Sequence, residues 1–460
     1  MTGIGTRTGT AGRRLTGALL LLVCGGISLW WGVLMWRDIP GGLVDFQVVY
    51  YGTRTMMDHR DPYDLRALKE TYRVEAAAGH AGAVDKPEAV TWFLYLPTIF
   101  PVVAPFALLP WRVARMAWFV LLAALLATAV VRMWQEGARE APGMALLLAC
   151  LMLLNCEVLF GGGNSAGIAV SLCVLGAWYF VKERHAALGV ACMAVSLAIK
   201  PHDAGLVWLY FLLAGGSMRR RAVETLGAAA LIGVAALVWT HQAVPQWMQE
   251  WRANVAAISA PGHTSDPGAV TAKELGITGP VIDLQSVVAA FRDEASVYEP
   301  AALAICGGML LVWVWATARQ RMQRMEDAWL GLAAAAPLTL LATYHRPYDA
   351  TLLLLAIPAC AALWARGDWT GRIALVLTAA GAVLTGSLAV AALFALAWGL
   401  PLNPATWNGR MGIVLLTRAP SLVLLAMAVF YLWVYARRAG NVDTAEEGSQ
   451  HALREGAESA

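Results

Sequence analysis

Apolar and polar positions along this chain separate into long blocks. Apolar runs fall near 15–36, 115–133, 143–160, 165–181, 186–199, 203–218, 222–240, 301–318, 328–343, 350–364, 373–396 and 413–435. A helix needs about 20 such residues to cross a hydrocarbon core of about 30 Å. The pattern therefore predicts an all-α polytopic membrane protein, a bundle of about 12 transmembrane helices. The first run has the basic flank of a signal peptide. Its core is about 20 residues long, beyond the usual 7–15, and ends in Trp30, Trp31 and Trp36. It reads as an uncleaved span.

Cations order the runs. Short cytoplasmic loops collect Arg and Lys. With the N-terminus inside, the inner connections carry Arg7, Arg13 and Arg14, then Arg139, then Lys182 and Arg184, then Arg219 to Arg221. Further on they carry Arg319, Arg321 and Arg324, then Arg366 and Arg372, then Arg437 and Arg438. The short outer connections hold only Lys200, Arg346 and Arg410. Both termini are thus expected in the cytoplasm.

One apolar stretch, residues 95–110, contains Pro97, Pro101, Pro105 and Pro110. Counting it as a span inverts every later loop, and its prolines argue against a regular helix. It is read as re-entrant or surface-lying on the outer face, with a kinked thirteenth span as the alternative. Two outer loops are long, about 37–114 and 241–300. Within the second, residues 242–255 have an amphipathic pattern with Trp247 and Trp251 spaced to lie at the membrane interface. Residues 1–438 are expected to form one membrane-embedded domain, and 439–460 a polar, disordered cytoplasmic tail.

Composition narrows the classes. The chain is 59% hydrophobic and 14% charged, against about 25% charged for a soluble domain, so lipid must solvate much of it. A net charge of +3 without a basic stripe excludes a nucleic-acid partner. All seven cysteines lie in apolar runs, so neither a disulfide framework nor a cysteine metal site is expected.

Four polar groups fall on the predicted outer face. The first is Asp45, Tyr50, Tyr51, Arg54, His59, Asp61, Tyr63 and Asp64. The second is Gly161-Gly162-Gly163-Asn164, and the third Lys200-Pro201-His202-Asp203. The fourth is Tyr344, His345, Arg346, Tyr348 and Asp349. Many such residues are only solvated span ends, headgroup anchors or aromatic belts. Ionisable residues at a membrane boundary are nonetheless functional candidates by default. Lys200, His202, His345 and Arg346 suit a phosphate ester. Asp45 suits a general base for a hydroxyl nucleophile. Tyr50, Tyr51, Arg54, Asp61, Tyr63, Asn164, Tyr348 and Asp349 are candidate substrate contacts. No cofactor is implied. Asp45, Asp61 and Asp64 offer oxygens to a divalent cation without completing a ligand set, so no metal site is assigned.

Asp45-Phe46, Tyr50-Tyr51 and Asp61-Pro62-Tyr63 just after a first span resemble glycosyltransferase family 87 of the GT-C superfamily. The likeness continues through Tyr95-Leu96-Pro97 to Leu109-Pro110, Gly163-Asn164, Ile199-Lys200-Pro201, and His345 with Tyr348-Asp349. It spans about residues 30–350. Two departures touch donor or acceptor binding: His59 stands where the family often has Gly, and Asn164 where it often has Gln. The resemblance implies a GT-C-like fold in a bacterial inner membrane. It implies transfer of a sugar, with mannose expected, from a polyprenyl-phosphate donor to a lipid- or glycan-linked acceptor on the outer face. Inversion would occur at the anomeric carbon, with Asp45 as base and the Lys200 and His345 regions on the donor phosphate. Two other classes compete. A transporter or lipid flippase predicts charges near mid-membrane, often in repeated halves. A non-catalytic membrane subunit that binds an envelope glycan predicts no activity to lose at Asp45.

Overall fold

The computed structural model describes residues 5–37, 42–78, 90–263, 265–268, 281–320, 325–403 and 406–458. Arg321 and Arg324 lie outside this set. The described residues hold helices and no strand. In chain order they are α1 (Gly5–Trp36), α2 (Val44–Met57), α3 (Leu65–Ala77), α4 (Phe100–Ala107), α5 (Trp111–Gly137), α6 (Pro142–Leu154) and α7 (Glu157–Gly162). Then come α8 (Ser165–Val181), α9 (Ala186–Ile199), α10 (Pro201–Ala214), α11 (Gly216–Ala243), α12 (Trp247–Ser259), α13 (Leu284–Ala289) and α14 (Ala295–Gln320). The last are α15 (Met325–Ala342), α16 (Ala356–Trp364), α17 (Trp369–Leu384), α18 (Ser387–Gly399), α19 (Trp407–Thr417) and α20 (Ala419–Glu458).

Six helical segments among the described residues are long and apolar enough to cross a bilayer: Leu15–Met35, Trp111–Gly137, Gly216–Ala243, Ala295–Gln320, Pro347–Trp364 and Ala419–Gly440. The pair α17 and α18, bent by 79°, makes a seventh if it is one span. Large apolar side chains stand outward on the long helices, among them Leu22, Leu231, Leu303 and Leu311. Lipid is the solvent that tolerates such a surface. Helices α8 and α15 are buried almost all round, as expected of helices apolar on every side.

The other apolar runs become shorter helices because local chemistry breaks them. Thirteen residues of α6 cover about 20 Å at 1.5 Å each. Helix α9 ends at Lys200, whose backbone is φ −143° and ψ 85°, because a following proline disfavours the helical region. Asn155 sits after α6, donating to the Ala382 carbonyl near the end of α17. Ser387, opening α18, donates to the buried Glu157. These two contacts hold the 79° bend.

The helix ends sort into two groups. One contains Glu136, which pairs with Lys182 at 2.7 Å and Arg139 at 3.0 Å. It also contains Ser217 bonded to Glu183, Arg221 to the Phe180 carbonyl, and Arg438 to Asp327. These belong to the connections that the charge pattern places together. The starts of α2, α8 and α10 and the turn before residue 347 gather elsewhere, at the site described next.

The proline-rich stretch is helical, unlike its expectation: a 3-10 turn, Pro97–Ile99, leads into α4. Pro97 and Pro101 stand in first turns, where the missing N–H costs nothing. Only Pro105 is interior. Eleven residues span about 16 Å, half a hydrocarbon core. Helix α12 forms where an amphipathic helix is expected, but its tryptophan face meets protein. Trp247 is buried near Tyr63, Trp251 donates to the Leu94 carbonyl, and Asn254 donates to the Tyr63 and Phe93 carbonyls. The backbone of α20 is helical to Glu458, through the stretch expected to be disordered. Its Ala, Glu, Gln, Leu and Arg content favours a helix.

Candidate active site

Asp45 lies in the first turn of α2, after Gly42 and Leu43, both in left-handed conformation at φ 64° and 47°. A helix N-terminus favours a carboxylate. Asn164, the N-cap of α8, fixes it from the other side: its Oδ1 accepts from the Ala166 N–H at 2.8 Å and its Nδ2 donates to Asp45 Oδ2 at 2.9 Å. Gly163, at φ 63°, brings the two segments together. A Cβ there would lie 3.0 Å from the Leu43 Cβ and 3.2 Å from the Phe46 Cβ. Trp118 Nε1 donates to the Gly163 carbonyl at 2.8 Å, and Phe46 stacks on Trp118. The glycine turn is thus demanded by close approach, and it places Asn164 on Asp45.

Asp45 is half-buried. Burial pushes its carboxyl above the ordinary value. The Asn164 bond and the charges of Arg346 and Lys200 pull it back, and Asp349 adds to the push. Arg346 and Lys200 are therefore near enough for their charges to act on Asp45.

Lys200, in the break between α9 and α10, reaches Asp349 Oδ1 at 2.5 Å and Asp203 Oδ2 at 3.5 Å. Burial works against its charge; Asp203 and Asp349 more than offset this and hold it above the ordinary lysine value. Asp349 Oδ2 also accepts from the Arg346 N–H at 2.8 Å, closing the turn that starts the 3-10 helix Pro347–Leu355. Arg346 is buried, and its Nε donates to the Tyr344 hydroxyl at 2.8 Å. The ring of Tyr348 lies 5.5 Å from Lys200 Nζ.

His345 is fully buried. Its Nδ1 is 2.9 Å from the Thr343 carbonyl and its Nε2 3.0 Å from Asp203 Oδ1. The second contact is within ion-pair reach but lacks hydrogen-bond alignment. Burial alone disfavours the imidazolium; Asp203 reverses this, so the His345 pKa is raised. The exposed His202 ring lies 5.1 Å from that of His345.

Ligand atoms of His202, Asp203 and His345 lie within 4.8 Å of one another. Two imidazoles and a carboxylate are donors that can hold a transition metal. Lys200 already offsets Asp203, which leaves too few free oxygens for a hard cation such as Mg²⁺. The carboxylates considered for a cation are not assembled for one. Asp61 Oδ1 accepts from the Tyr63 N–H, and Asp64 Oδ1 caps α3 through the Arg66 N–H.

The fold thus gathers Asp45, Asn164, Lys200, His202, His345, Arg346, Tyr348 and Asp349. The remaining candidates bond among residues 50–109. Tyr50 donates to the Leu109 carbonyl at 2.7 Å, and Tyr63 to the Tyr95 carbonyl at 3.1 Å. Arg54 pairs with Glu75 and donates to the Ala107 carbonyl. Tyr51 is buried against Tyr50, Tyr72 and Trp111. The structure adds Asp203, Tyr344 and Tyr95. Asp203 and Tyr344 stand inside the polar groups of the sequence, where spacing alone assigns them no role. Tyr95, whose hydroxyl accepts from Ser165 Oγ at 3.1 Å, opens the proline-rich stretch. A cleft of about 1830 Å³ between α1, α5 and α6 is lined by Leu21, Leu29, Val130, Leu153 and Phe160. It runs from the Arg139 end of α5 to Phe160 in α7.

Residues 93–343 match the family profile of glycosyltransferase family 87. The match covers more than half of the chain, beginning after Asp45 and ending before His345. No curated protein and no solved structure gives a significant match.

Proposed function

The chain belongs to glycosyltransferase family 87 and is a membrane glycosyltransferase; from the site we propose that it moves a sugar from a polyprenyl-phosphate donor to a lipid- or glycan-linked hydroxyl. Mannose is the sugar proposed. The acceptor hydroxyl gives its proton to Asp45 as its oxygen attacks the anomeric carbon. The bond from that carbon to the phosphate oxygen breaks, and the phosphate leaves with the electron pair. Attack opposite the leaving group inverts the anomeric centre. Arg346, Lys200 and His345, whose charged form Asp203 favours, form the field in which the phosphate gains charge, with His202, held down at about 3 by burial and by Lys200, as a neutral hydrogen-bond donor; such a field is worth most where water is scarce. Asn164 keeps Asp45 aimed, Tyr348 and Asp349 shape the donor side, and Tyr50, Tyr51, Arg54, Asp61 and Tyr63 form the wall that carries Asp45.

The observation that carries this reading is one cluster: Asp45, half-buried and held by Asn164, stands with the buried cations Lys200 and Arg346, which Asp349 joins to each other. The apolar cleft between α1, α5 and α6 offers room for a lipid chain. With the charge pattern, the reading places the site on the outer face of a bacterial inner membrane and both termini in the cytoplasm, and it counts the broken helices among about 12 spans.

The test is purified protein in lipid nanodiscs given polyprenyl-phosphate-mannose, its arabinose counterpart and a nucleotide sugar, with lipid acceptors and mass spectrometry of products. Mannose transfer from the lipid phosphate alone is expected. Transfer from the nucleotide sugar alone overturns the donor assignment.

A further inference from the structure

Arg418 lies far along the chain from the site, in the kink between α19 and α20 and beyond the family match. It is 1% exposed, with Asp283 and Asp266 as acidic neighbours. Its Nε donates to the Ser286 carbonyl at 2.9 Å and its Nη2 to the Pro267 carbonyl at 3.1 Å. These carbonyls belong to the two described arms of the second outer loop. Each arm, a few residues on, touches the turn that bears the site's cations. On one arm Ser265 Oγ donates to the Tyr344 hydroxyl at 3.2 Å, and that hydroxyl accepts from Arg346 Nε at 2.8 Å. On the other arm the Ile282 N–H donates to the His345 carbonyl at 3.0 Å.

Both arms are stiff between their two contacts. Asp266 accepts from the Gly262 and Gly268 N–H groups at 2.8 and 2.9 Å. Asp283 accepts from the Ser286 N–H at 2.9 Å, capping α13. A displacement at the Arg418 end therefore reaches the turn. A guanidinium is suited to this place because its planar fork presents several donors in fixed directions, whereas an ammonium is a point charge on a flexible stem. Packing alone would be served by an apolar side chain.

We infer that Arg418 is a positioning residue for donor binding: it clamps both arms of the second outer loop and so sets the direction of Arg346 and the place of His345. The inference rests on the reading that Arg346 and His345 bind the donor phosphate.

The test is steady-state kinetics of the full chain in nanodiscs with polyprenyl-phosphate-mannose. Arg418→Lys keeps the charge and loses the fork. Its donor KM should rise about tenfold, the effect of losing one good contact, with the acceptor KM unchanged. Tyr344→Phe removes only the hydroxyl between Ser265 and Arg346 and should act in the same direction. The double variant should fall short of the product of the two effects, because coupled residues are non-additive. An unchanged donor KM in Arg418→Lys, or independent effects in the double variant, overturns the clamp. If Arg418→Lys does not fold, Arg418→Gln, which keeps one donor group, takes its place in the cycle with Tyr344→Phe, and independence there has the same force. A normal donor KM in Arg346→Ala sinks the phosphate reading itself, a result separate from either outcome.

Discussion

Two polar stretches of this chain are alike in composition and opposite in behaviour. Residues 45–64 and 343–349 each mix Asp, Tyr, Arg and His beside an apolar segment. Past Asp45, the first stretch turns on itself. Arg54 pairs with Glu75, Tyr50 and Tyr63 bond to main-chain carbonyls, and Asp61 and Asp64 accept from N–H groups two residues on. The second stretch reaches outward, from Asp349 to Lys200 and from His345 to Asp203. A polar motif beside a span thus has two uses. It can satisfy the backbone of a loop that cannot rely on water, or it can converge with residues from elsewhere in the chain. Only the partners tell which.

The comparison is most directly broken at Asp45, the member of the first stretch that joins the second. Asp45→Asn keeps the Asn164 contact but cannot take a proton. Turnover should fall about 10²–10⁴-fold while the protein still inserts and binds donor; near-parental turnover returns Asp45 to the framework. Arg346→Ala comes next. Losing hydrogen bonds to a charged group costs about 1.5–3 kcal/mol, so kcat/KM for the donor should drop by about one to two orders of magnitude. Arg54→Ala sharpens the contrast from the other side. It should lower thermal stability by about 1–2 kcal/mol and leave the donor KM alone; a donor KM that climbs with no loss of stability would move the first stretch back into the site.

The smallest effect concerns pH. Asp45 must be ionised to act, and burial already raises its pKa, so the acid limb of the rate profile should lie above the ordinary carboxylate range. The Asn164 bond favours the charged form. Removing it in Asn164→Ala should move that limb to higher pH, leaving the rate on the alkaline plateau less affected. A limb that stays still or moves to lower pH means that this hydrogen bond does not set the base.

Asp45, Asn164, Lys200, His345 and Arg346 were legible because an ionisable or amide side chain at a span boundary is costly without a partner. Their partners were not legible. Asp45 meets Asn164 across 119 residues and Lys200 meets Asp349 across 149, and no local spacing encodes such pairs. Asp203, next to His202, has no local signal of its role for that reason. The membrane class followed from bulk hydrophobicity. The span count is less direct: breaks at Asn155, at Lys200-Pro201 and at Gly386 shorten helices inside runs that remain apolar, and six or seven described segments alone have the full length. The proline-rich segment misled in the other direction: first-turn prolines start helices as readily as interior ones stop them.

Helix α12 has a further consequence. Three hydrogen bonds tie it to Tyr63, Phe93 and Leu94, so residues more than 150 apart in sequence, in two different loops, share one set of contacts. Segments joined this way open together, with a common free energy of local unfolding. Amides of 247–259 and of 93–94 should then exchange with deuterium at matching protection. Asn254→Ala, which removes two of the three bonds, should speed exchange in both stretches at once. The two long loops would on that account behave as one cooperative unit, rising or settling on the bundle as a single body.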